Sequence, residues 1–335
     1  MHYHKICVIH LNQIGDLVFS LPLLKSLKDN FPDALVHSVI RPFLQDLLAG
    51  SPWVDRILLR ESSLKARLDL LKKIRRNQYD LLICLGRSEE SQMLTLLSGA
   101  KRKAGFAHFF WDLGLDLKEP IEGHNSWYNN AKLLQLLNIK ISQNDYVGLL
   151  NVHKDAGLTD LPAEFAVISP AASHRRQMKV WDPNKFAELI ILLQQDFSLG
   201  SVLVGSVDDK AYNHTIMASL NEKATENSIE IINLTGNTGL GQLCSLLKQA
   251  SLFVGIDSGI MHLASSLDIP LVALFGPTDP RFVGPQNSRS QVVRKEDMDC
   301  VPCYLKPCDH RNCMNQLEVD TVLAACRQVI SKMGD

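Results

Sequence analysis

The chain has 335 residues, of which 46% are hydrophobic and 21% are charged, and its formal net charge is -1. This length suits two domains with their own hydrophobic cores, and the near-neutral charge argues against a dedicated nucleic-acid-binding protein. No apolar run reaches the roughly 18 residues of a membrane span, and the first residues lack the regions of a signal peptide. We therefore expect a cytoplasmic protein.

Short apolar strands alternate with amphipathic helices along the first half, which predicts an α/β fold with a parallel sheet. The predicted strands are Ile6–His10, Leu35–Ile40, Arg56–Leu59 and Leu81–Leu85. The predicted helices are Pro22–Asn30, Leu64–Asn77, Ser91–Leu97 and Asn129–Leu137. This half therefore has the pattern of one Rossmann-like domain.

The second half repeats the alternation and predicts a second Rossmann-like domain. Its predicted strands are Phe165–Ser169, Ser201–Val204, Ile231–Asn233, Phe253–Ile256 and Leu271–Phe275. Its predicted helices are Pro183–Asp196, Lys210–Leu220, Leu240–Gln249, Gly259–Leu267 and Val319–Lys332. The polar segment from Asn151 to Pro162 suggests domains at 1–155 and 156–335. Where the last helix packs is not decided by the sequence, and packing on the first domain stays open.

The predicted helix Leu64–Asn77 carries six basic residues around an apolar stripe of Leu64, Leu68, Leu71 and Ile74. We favour a solvated outer face for this helix. The alternative is contact with an anionic membrane surface, to which each basic residue contributes about 1 kcal/mol.

The turn after the first predicted strand contains Gly15 and Asp16. Asp16 either caps the following helix or provides a carboxylate at the carboxyl edge of the sheet, where a general base would be useful. The turn does not read Gly-x-Gly-x-x-Gly, which argues against a nicotinamide dehydrogenase.

A stronger signal lies where a buried strand ends in Asp257-Ser258-Gly259 and a helix follows. Ligands of open α/β sheets bind at the carboxyl edge, and the free N–H groups of a helix start favour an anion. The pattern therefore predicts a phosphate site for a nucleotide-linked donor. His262 lies one turn later, and we weigh a ligand-side role for it against that of a core histidine.

Two further strand ends of the second half carry polar residues. The segment after Ser169 leads through a basic loop to Lys179, which could supply a positive charge to a phosphate, or the loop is merely solvated. Trp181 could simply anchor this loop. At the next strand end, an acidic residue at Asp208 or Asp209 could contact ribose hydroxyls, and helix capping by Asp208 is the alternative.

These segments together resemble glycosyltransferase family 9, the ADP-heptose:lipopolysaccharide heptosyltransferases. The motifs that carry the resemblance are Ile14-Gly15-Asp16 with Pro22, Ser169-Pro170-Ala171-Ala172-Ser173 with Lys179-Val180-Trp181, Leu234-Thr235-Gly236, Asp257-Ser258-Gly259-Ile260-Met261-His262-Leu263-Ala264, and Phe275-Gly276-Pro277-Thr278-Asp279-Pro280. The resemblance implies a GT-B fold, in which two Rossmann-like domains face each other across a cleft. It also implies transfer of a heptose from ADP-heptose to the lipopolysaccharide core, with inversion and without an obligatory metal.

The resemblance further implies roles for single residues. Asp16 is the expected base for the acceptor hydroxyl, acting in the N-terminal acceptor domain. The residues expected to hold the ADP part of the donor are Ser173, Lys179, Asp209, Asp257, Ser258, Gly259 and His262. Such an enzyme would contact the inner face of the inner membrane.

Acceptor contacts are less clearly marked. The segment Gly86 to Ser91 departs from the acidic or amide stretch common in the family, and it suggests Arg87 as an acceptor contact. Lys101 and Arg102 open a basic segment whose aromatic continuation ends at Trp111. This segment suits an anionic lipid at a bilayer surface, or it is a strand that enters the core after a charged turn.

Eight cysteines fall into two groups. Cys7, Cys84, Cys244 and Cys326 lie in apolar segments and are expected to be reduced core residues. Cys300, Cys303, Cys308 and Cys313 cluster, and their spacing permits a structural zinc site, although reduced thiols or a labile disulfide together are the preferred interpretation.

Two rival functions remain open. One is a family 9 transferase that uses another nucleotide-sugar, and the other is a nucleotide- or zinc-binding protein without turnover. A base such as Asp16 argues against the second, because binding alone needs no base.

Overall fold

The computed structural model describes residues 2–107, 113–123, 126–151, 157–170, 174–223, 228–304, 308 and 310–332. The chain divides into two compact units, Met1–Asn151 and Val152–Asp335. The expected boundary after residue 155 falls in the segment 152–156, which lies outside the described residues.

The first unit contains a six-stranded sheet in which every described pairing is parallel. Its strands are Lys5–Ile9 (β1), Leu35–Ile40 (β2), Arg56–Leu59 (β3), Leu81–Cys84 (β4), Arg102–Phe106 (β5) and Leu117–Glu119 (β6). Their order across the sheet is β3-β2-β1-β4-β5-β6. Strands β2 and β3 are added on one side of β1, and β4 to β6 are added on its other side. The strand order therefore reverses between β1 and β4, where Ile6 pairs with Leu81.

The helices of the first unit follow the strands. They are Ile14–Asn30 (α1), Gln45–Leu48 (α2), Leu64–Asn77 (α3), Glu89–Leu97 (α4) and Trp127–Leu136 (α5), with a 3-10 turn at Pro42–Leu44. Helices α3 and α4 pack on one face of the sheet, in a buried cluster that includes Cys7 and Ile9 of β1. The alternate residues Ile6 and Val8 point to the opposite face.

The second unit repeats this design with a second six-stranded sheet, whose described pairings are also parallel. Its strands are Phe165–Ser169 (β7), Gly200–Leu203 (β8), Ile231–Asn233 (β9), Leu252–Ile256 (β10), Leu271–Phe275 (β11) and Ser290–Arg294 (β12). Their order is β12-β11-β10-β7-β8-β9, so the reversal lies between β7 and β10. The expected α/β class is confirmed in both units.

The helices of the second unit are Pro183–Phe197 (α6), Lys210–Lys223 (α7), Leu240–Gln249 (α8), Gly259–Ser266 (α9), Pro280–Val283 (α10), Asn312–Asn315 (α11) and Val319–Ser331 (α12). Two 3-10 helices span His174–Lys179 and Val207–Asp209. The last helix, α12, packs on α6 and on β11 and β12 of its own unit. Its side chains Val322 and Cys326 belong to the main core of that unit.

Several bounds differ from the sequence predictions. Helix α1 begins at Ile14, eight residues before the predicted start at Pro22, because the apolar run from Leu17 to Leu21 is buried as helix and Pro22 lies inside it. A strand at β5 was one of two interpretations of its segment, whereas β6 and β12 were not predicted as strands. The last two are edge strands with few fully buried residues, and they lack the apolar pattern that marks a strand.

The segment that begins at Lys101 forms strand β5 over Arg102–Phe106, and its last three residues are buried. The strand interpretation is therefore correct for this part, whereas the aromatic continuation at 108–111 lies outside the described residues. Within the described ranges, no helix combines the length and the apolar character that crossing a bilayer requires.

Candidate functional site

Each sheet has a switch point, and the predicted site residues follow the strands on either side of it. In the first unit β1 leads to Asp16 and β4 leads to Arg87. In the second unit β7 leads to Lys179 and β10 leads to Asp257. At a switch point the connections from two adjacent strands lead to opposite faces of the sheet and leave a crevice above the carboxyl ends, which is where open α/β sheets bind ligands.

Asp16 lies in the first turn of α1 and is half-buried. It is not the N-cap, since Gln13 holds that position without a side-chain capping bond. The helix dipole at this position stabilises an ionised carboxylate. A small pocket beside Asp16 is lined by Leu11, Phe19, Leu85, Phe106, Ser126, Asn129 and Asn130. The hydroxyl of Ser126 is buried without a partner among the described residues.

A buried histidine, His10, forms a hydrogen bond with Ser20 of α1. His10 directly follows β1, with Nδ1 2.8 Å from Ser20 Oγ and Nε2 3.2 Å from Ser38 Oγ. Ser20 donates its hydroxyl proton to the Leu17 carbonyl, so His10 Nδ1 must donate to Ser20 and Nε2 must accept from Ser38. Burial, together with the charge of Arg60, lowers the pKa of His10 to about 3, and the ring is neutral.

Two arginines that the sequence analysis missed lie at the same edge. Arg60 follows β3, is only 1% exposed, and donates from Nη1 to Ser91 Oγ at 2.7 Å. Its Nε has no partner among the described residues. Arg41 follows β2 and donates to Ser62 Oγ at 3.2 Å, while its Nη2 lies 3.6 Å from Glu90. The sequence could have indicated both as site residues, because each directly follows a predicted strand.

Arg87 is exposed in the turn after β4, at the edge that carries Asp16. Lys101 and Arg102 are elsewhere: Lys101 directly precedes β5 and Arg102 is its first residue, so both lie at the amino edge of the sheet. Lys101 pairs with Asp80 at 2.8 Å, and Arg102 donates to the hydroxyl of Tyr3. A five-residue strand spans about 16 Å. The structure therefore does not bring Lys101 and Arg102 to Asp16.

In the second unit, Lys179 and Asp257 form a buried ion pair, in which Lys179 Nζ contacts Asp257 Oδ2. Thr278, which follows β11, donates from Oγ1 to the same oxygen at 2.6 Å. Burial alone would raise the pKa of Asp257, but Lys179, His262 and the two hydrogen bonds together hold it below its ordinary value. The carboxylate is therefore ionised, and it holds the lysine at the switch point.

The start of α9 lies directly beside this pair. Ser258 is its N-cap, with Oγ 3.5 Å from the backbone N of Met261, and Gly259 is the first helical residue. His262 is the fourth residue of α9 and is buried, and its charge contributes to lowering the pKa of Asp257. The structure thus brings Lys179, Asp257, Ser258, Gly259 and His262 together. Thr278 is a member of the group that the sequence analysis quoted but did not assign.

Two other residues that were expected to bind the nucleotide-sugar, Asp209 and Ser173, are not placed in this group by the structure. The carboxylate of Asp209 accepts hydrogen bonds from the backbone N and the hydroxyl of Ser206, both at 2.7 Å. This is a capping box in which Ser206 is the N-cap and Asp209 is the third helical residue, so Asp209 has a structural role, and the exposed Asp208 is not the N-cap. Ser173 lies outside the described residues.

The four clustered cysteines are free thiols, as are the four core cysteines, which are buried as expected. Burial raises the pKa of Cys313, and the nearby Cys303, Cys300 and Cys308 raise it further. Over the described part of the chain, no group of three or more His, Cys, Asp and Glu side chains is arranged to hold a metal ion. A structural zinc site at these cysteines therefore stays a prediction.

Comparison with known proteins points to one family. The model of glycosyltransferase family 9 (heptosyltransferase) matches residues 67–314. Lipopolysaccharide heptosyltransferase 3 of Escherichia coli (strain K12) is 27% identical over 290 residues, covering 81% of this chain and 82% of that protein.

Solved structures agree with this likeness. The E. coli ADP-heptose LPS heptosyltransferase II superposes with a TM-score of 0.81 at 23% identity, covering 99% of this chain and 100% of that chain. E. coli heptosyltransferase WaaC with ADP-2-deoxy-2-fluoro heptose has a TM-score of 0.72 at 21% identity, covering 98% and 99%. At these identities the likeness shows the fold, and the expected GT-B class is confirmed.

Proposed function

The chain belongs to glycosyltransferase family 9, the heptosyltransferases, and we propose that it transfers a heptose from ADP-heptose to a sugar hydroxyl of the lipopolysaccharide inner core. Its relatives named lipopolysaccharide heptosyltransferase support the acceptor class. The observation on which the donor assignment rests is the buried pair of Lys179 and Asp257 beside the first turn of α9.

The donor's pyrophosphate would meet two positive features at this point. One is the ammonium of Lys179, and the other is the set of free backbone N–H groups at the start of α9, near Ser258 and Gly259. Asp257 carries a charge that repels phosphate, so its proposed role is to orient Lys179 rather than to touch the donor. Thr278 fixes the carboxylate in turn. Ser173, His262 and, more loosely, Asp209 remain proposed neighbours of the nucleotide.

The reaction is proposed to be a direct displacement. Asp16 takes the proton of the acceptor hydroxyl as its oxygen bonds to the anomeric carbon of the heptose. The bond from that carbon to the ADP oxygen breaks on the opposite face, so the configuration inverts. ADP leaves with its electron pair, and Lys179 with the α9 N–H groups stabilises the developing charge, which removes the need for an obligatory metal.

The acceptor is proposed to bind the carboxyl edge of the first sheet. Arg87 is exposed there, and the buried Arg60 follows β3 at the same edge with an Nε that has no partner among the described residues, so an anionic group on the acceptor would meet positive charge. Lys101 and Arg102 are not included, because they lie at the amino edge. An acceptor carried on a lipid implies work at the inner face of the inner membrane.

Calorimetric titration with ADP, ADP-heptose, UDP-glucose and NAD tests the donor assignment. We expect binding of ADP and ADP-heptose only, followed by release of ADP when a delipidated core acceptor is added. Binding of UDP-glucose instead would indicate another nucleotide-sugar. Binding without turnover on any core acceptor would favour a nucleotide-binding protein that catalyses nothing.

A further inference from the structure

Helices α3 and α4 turn large apolar side chains to solvent. On α3, Leu64 is 72% exposed and Leu68 is 51% exposed. On α4, Met93, Leu96 and Leu97 are 50%, 52% and 41% exposed. Leu64 and Leu68 belong to the apolar stripe that the sequence places on α3, and exposure of such large apolar side chains needs an explanation.

Leu113 extends this surface. It is 87% exposed, and it precedes Gly114, whose Cα faces the backbone of Leu96 so closely that a Cβ there would lie 2.9 Å from the Leu96 Cα. Leu113 therefore adjoins α4. We call Leu64, Leu68, Met93, Leu96, Leu97 and Leu113 the apolar patch. Contiguous exposed apolar surface of this kind marks a site of contact with a partner or a membrane.

The geometry of the two helices brings the members of the patch together. Arg67 of α3 pairs with Glu90 of α4 at 3.3 Å, which fixes the sides on which the helices meet. At 100° per residue, Leu64 lies about 60° from Arg67 toward solvent, and Met93 lies about 60° from Glu90 toward solvent. The exposed apolar side chains thus flank the seam between α3 and α4.

The outward face of α3 is also strongly basic. Lys65, Lys72, Arg75 and Arg76 are exposed, and at 100° per residue they share an arc of about 120° with Leu64 and Leu68. Asp69 borders this arc and lies 3.6 Å from Lys72. On α4, Glu90 forms an ion pair with Arg67, so Glu89 is the exposed acidic residue of that helix.

Leucines amid basic side chains on a solvent-facing helix are the pattern of a helix that lies in a membrane interface. We propose that the apolar patch and the basic face of α3 dock the first unit on an anionic bilayer. Leu64 begins α3 just after the carboxyl end of β3, so the patch borders the edge that carries Asp16. This inference rests on the proposed function, in which the acceptor is lipid-linked.

The basic face of α3 favours an anionic lipid surface over a second copy of this chain as the partner of the apolar patch. A symmetric contact between two copies of this chain brings a patch against itself, and the basic arcs of α3 would then repel each other. On an anionic lipid surface, each basic residue of α3 raises the binding constant by about fivefold. The apolar side chains add a further gain, since burying one leucine is worth about tenfold.

Vesicle co-sedimentation of the full chain tests the proposal. We expect binding to phosphatidylethanolamine vesicles that contain phosphatidylglycerol and cardiolipin, weakening with salt, and much weaker binding to phosphatidylcholine vesicles. The double variants Leu64→Ser/Leu68→Ser and Met93→Ser/Leu97→Ser should each lower the binding constant at least about tenfold. Arg75→Gln/Arg76→Gln should lower it about 30-fold on anionic vesicles alone.

Matched controls lie outside the patch. Leu35→Ser changes an exposed leucine at the start of β2, and Lys248→Gln/Lys295→Gln removes two exposed charges of the second unit; both should bind as the wild type does. Wild-type protein that ignores anionic vesicles, or leucine variants that bind unchanged, would overturn the proposal. So would a dimer in sedimentation velocity that dissociates in the leucine variants while vesicles remain unbound.

ADP affinity and turnover with a delipidated acceptor separate this inference from the proposed function. All patch variants should retain both, because none of the altered side chains lies at a switch point. Loss of vesicle binding with retained turnover supports the docking surface. Vesicle binding without heptose transfer would leave the surface intact and reject the proposed reaction.

Discussion

Lys179 and Asp257 are joined through a contact between Nζ and Oδ2, and their side chains are only 5% and 6% exposed. The pair connects the segment after β7 with the end of β10, the two strands that flank the switch point of the second sheet. Burying two charges is costly, and the hydrogen bond from Thr278 offsets part of that cost. What the pair provides is a cation held in position before any ligand arrives.

Replacing Lys179 by Met is expected to damage both stability and donor binding. Asp257 would be left buried without its counter-ion, which lowers the free energy of unfolding by about 3–5 kcal/mol. Denaturant titration measures this loss, and calorimetry should show ADP affinity reduced at least tenfold. Lys248→Met, at an exposed lysine, is the matched control and should change neither quantity.

The double variant Lys179→Met/Asp257→Asn separates the two effects. Both groups are then neutral and Thr278 keeps an acceptor, so most of the stability should return while ADP binding stays weak. Recovery of ADP binding along with stability would mean that Lys179 only supports the fold.

Replacing Asp16 by Asn should remove turnover without removing donor binding. The amide cannot accept the proton of the acceptor hydroxyl, and a general base contributes about 10²–10⁴-fold. Initial rates of ADP release measure the change, and ADP calorimetry should be unaffected. Asp33→Asn, at an exposed aspartate before β2, serves as the control. A rate within a few-fold of the wild type would exclude Asp16 as the base.

The sequence predicted most strands and the α/β class because buried parallel strands are continuously apolar, as β10 and β11 illustrate. It failed where structure depends on distant contacts. The start of α1 at Ile14 depends on burial of its first turns. Pro22 locally indicates a helix start, and nothing in the neighbouring sequence indicates an earlier one. Strand β12 exists because β11 offers it an edge, not because its residues favour a strand.

The candidate site divides in the same way. Lys179 and Asp257 were identified because each follows a strand, but their direct pairing joins residues 78 apart in sequence and only the fold brings them together. Lys101 was placed with the acceptor because basic residues there precede aromatic ones, and that pattern does not say which edge of a sheet a residue occupies. Arg60 was overlooked because a lone arginine after a strand gives no sign that it will be buried.

The protonation of His10 should make stability depend on pH. Its pKa is about 3 in the folded protein and near 6.5 when unfolded, so below pH 6.5 the unfolded chain takes up a proton that the folded protein refuses. Its contribution is complete above pH 6.5 and falls by about 1.4 kcal/mol per pH unit as the pH drops toward 3. Urea denaturation midpoints between about pH 7 and pH 4 measure this slope.

His10→Gln should flatten that slope, because the amide can donate and accept as the neutral ring does but does not titrate. His214→Gln, at an exposed histidine of α7, should leave the wild-type slope unchanged. An identical slope in wild type and His10→Gln would show that His10 is protonated in the fold, contrary to the hydrogen-bond pattern with Ser20 and Ser38.

Trp181 should behave as an anchor of the loop that carries Lys179, not as a nucleotide contact. It is 1% exposed, its ring packs edge-on against Phe186 at 4.9 Å between centroids, and its Nε1 donates to the Leu317 carbonyl at 2.8 Å. Trp181→Phe removes that hydrogen bond and leaves space, which should cost about 1–3 kcal/mol of unfolding free energy.

The same carbonyl keeps Lys185 as a donor, so the loss should stay within that range and the fold should persist. Trp53→Phe is the matched control, because the Trp53 indole nitrogen has no partner within the described residues, and it should cost less. ADP affinity of Trp181→Phe should remain within about threefold of the wild type, since the ring is packed into the core. A tenfold loss of ADP affinity with unchanged stability would instead identify Trp181 as a platform on which the nucleotide stacks.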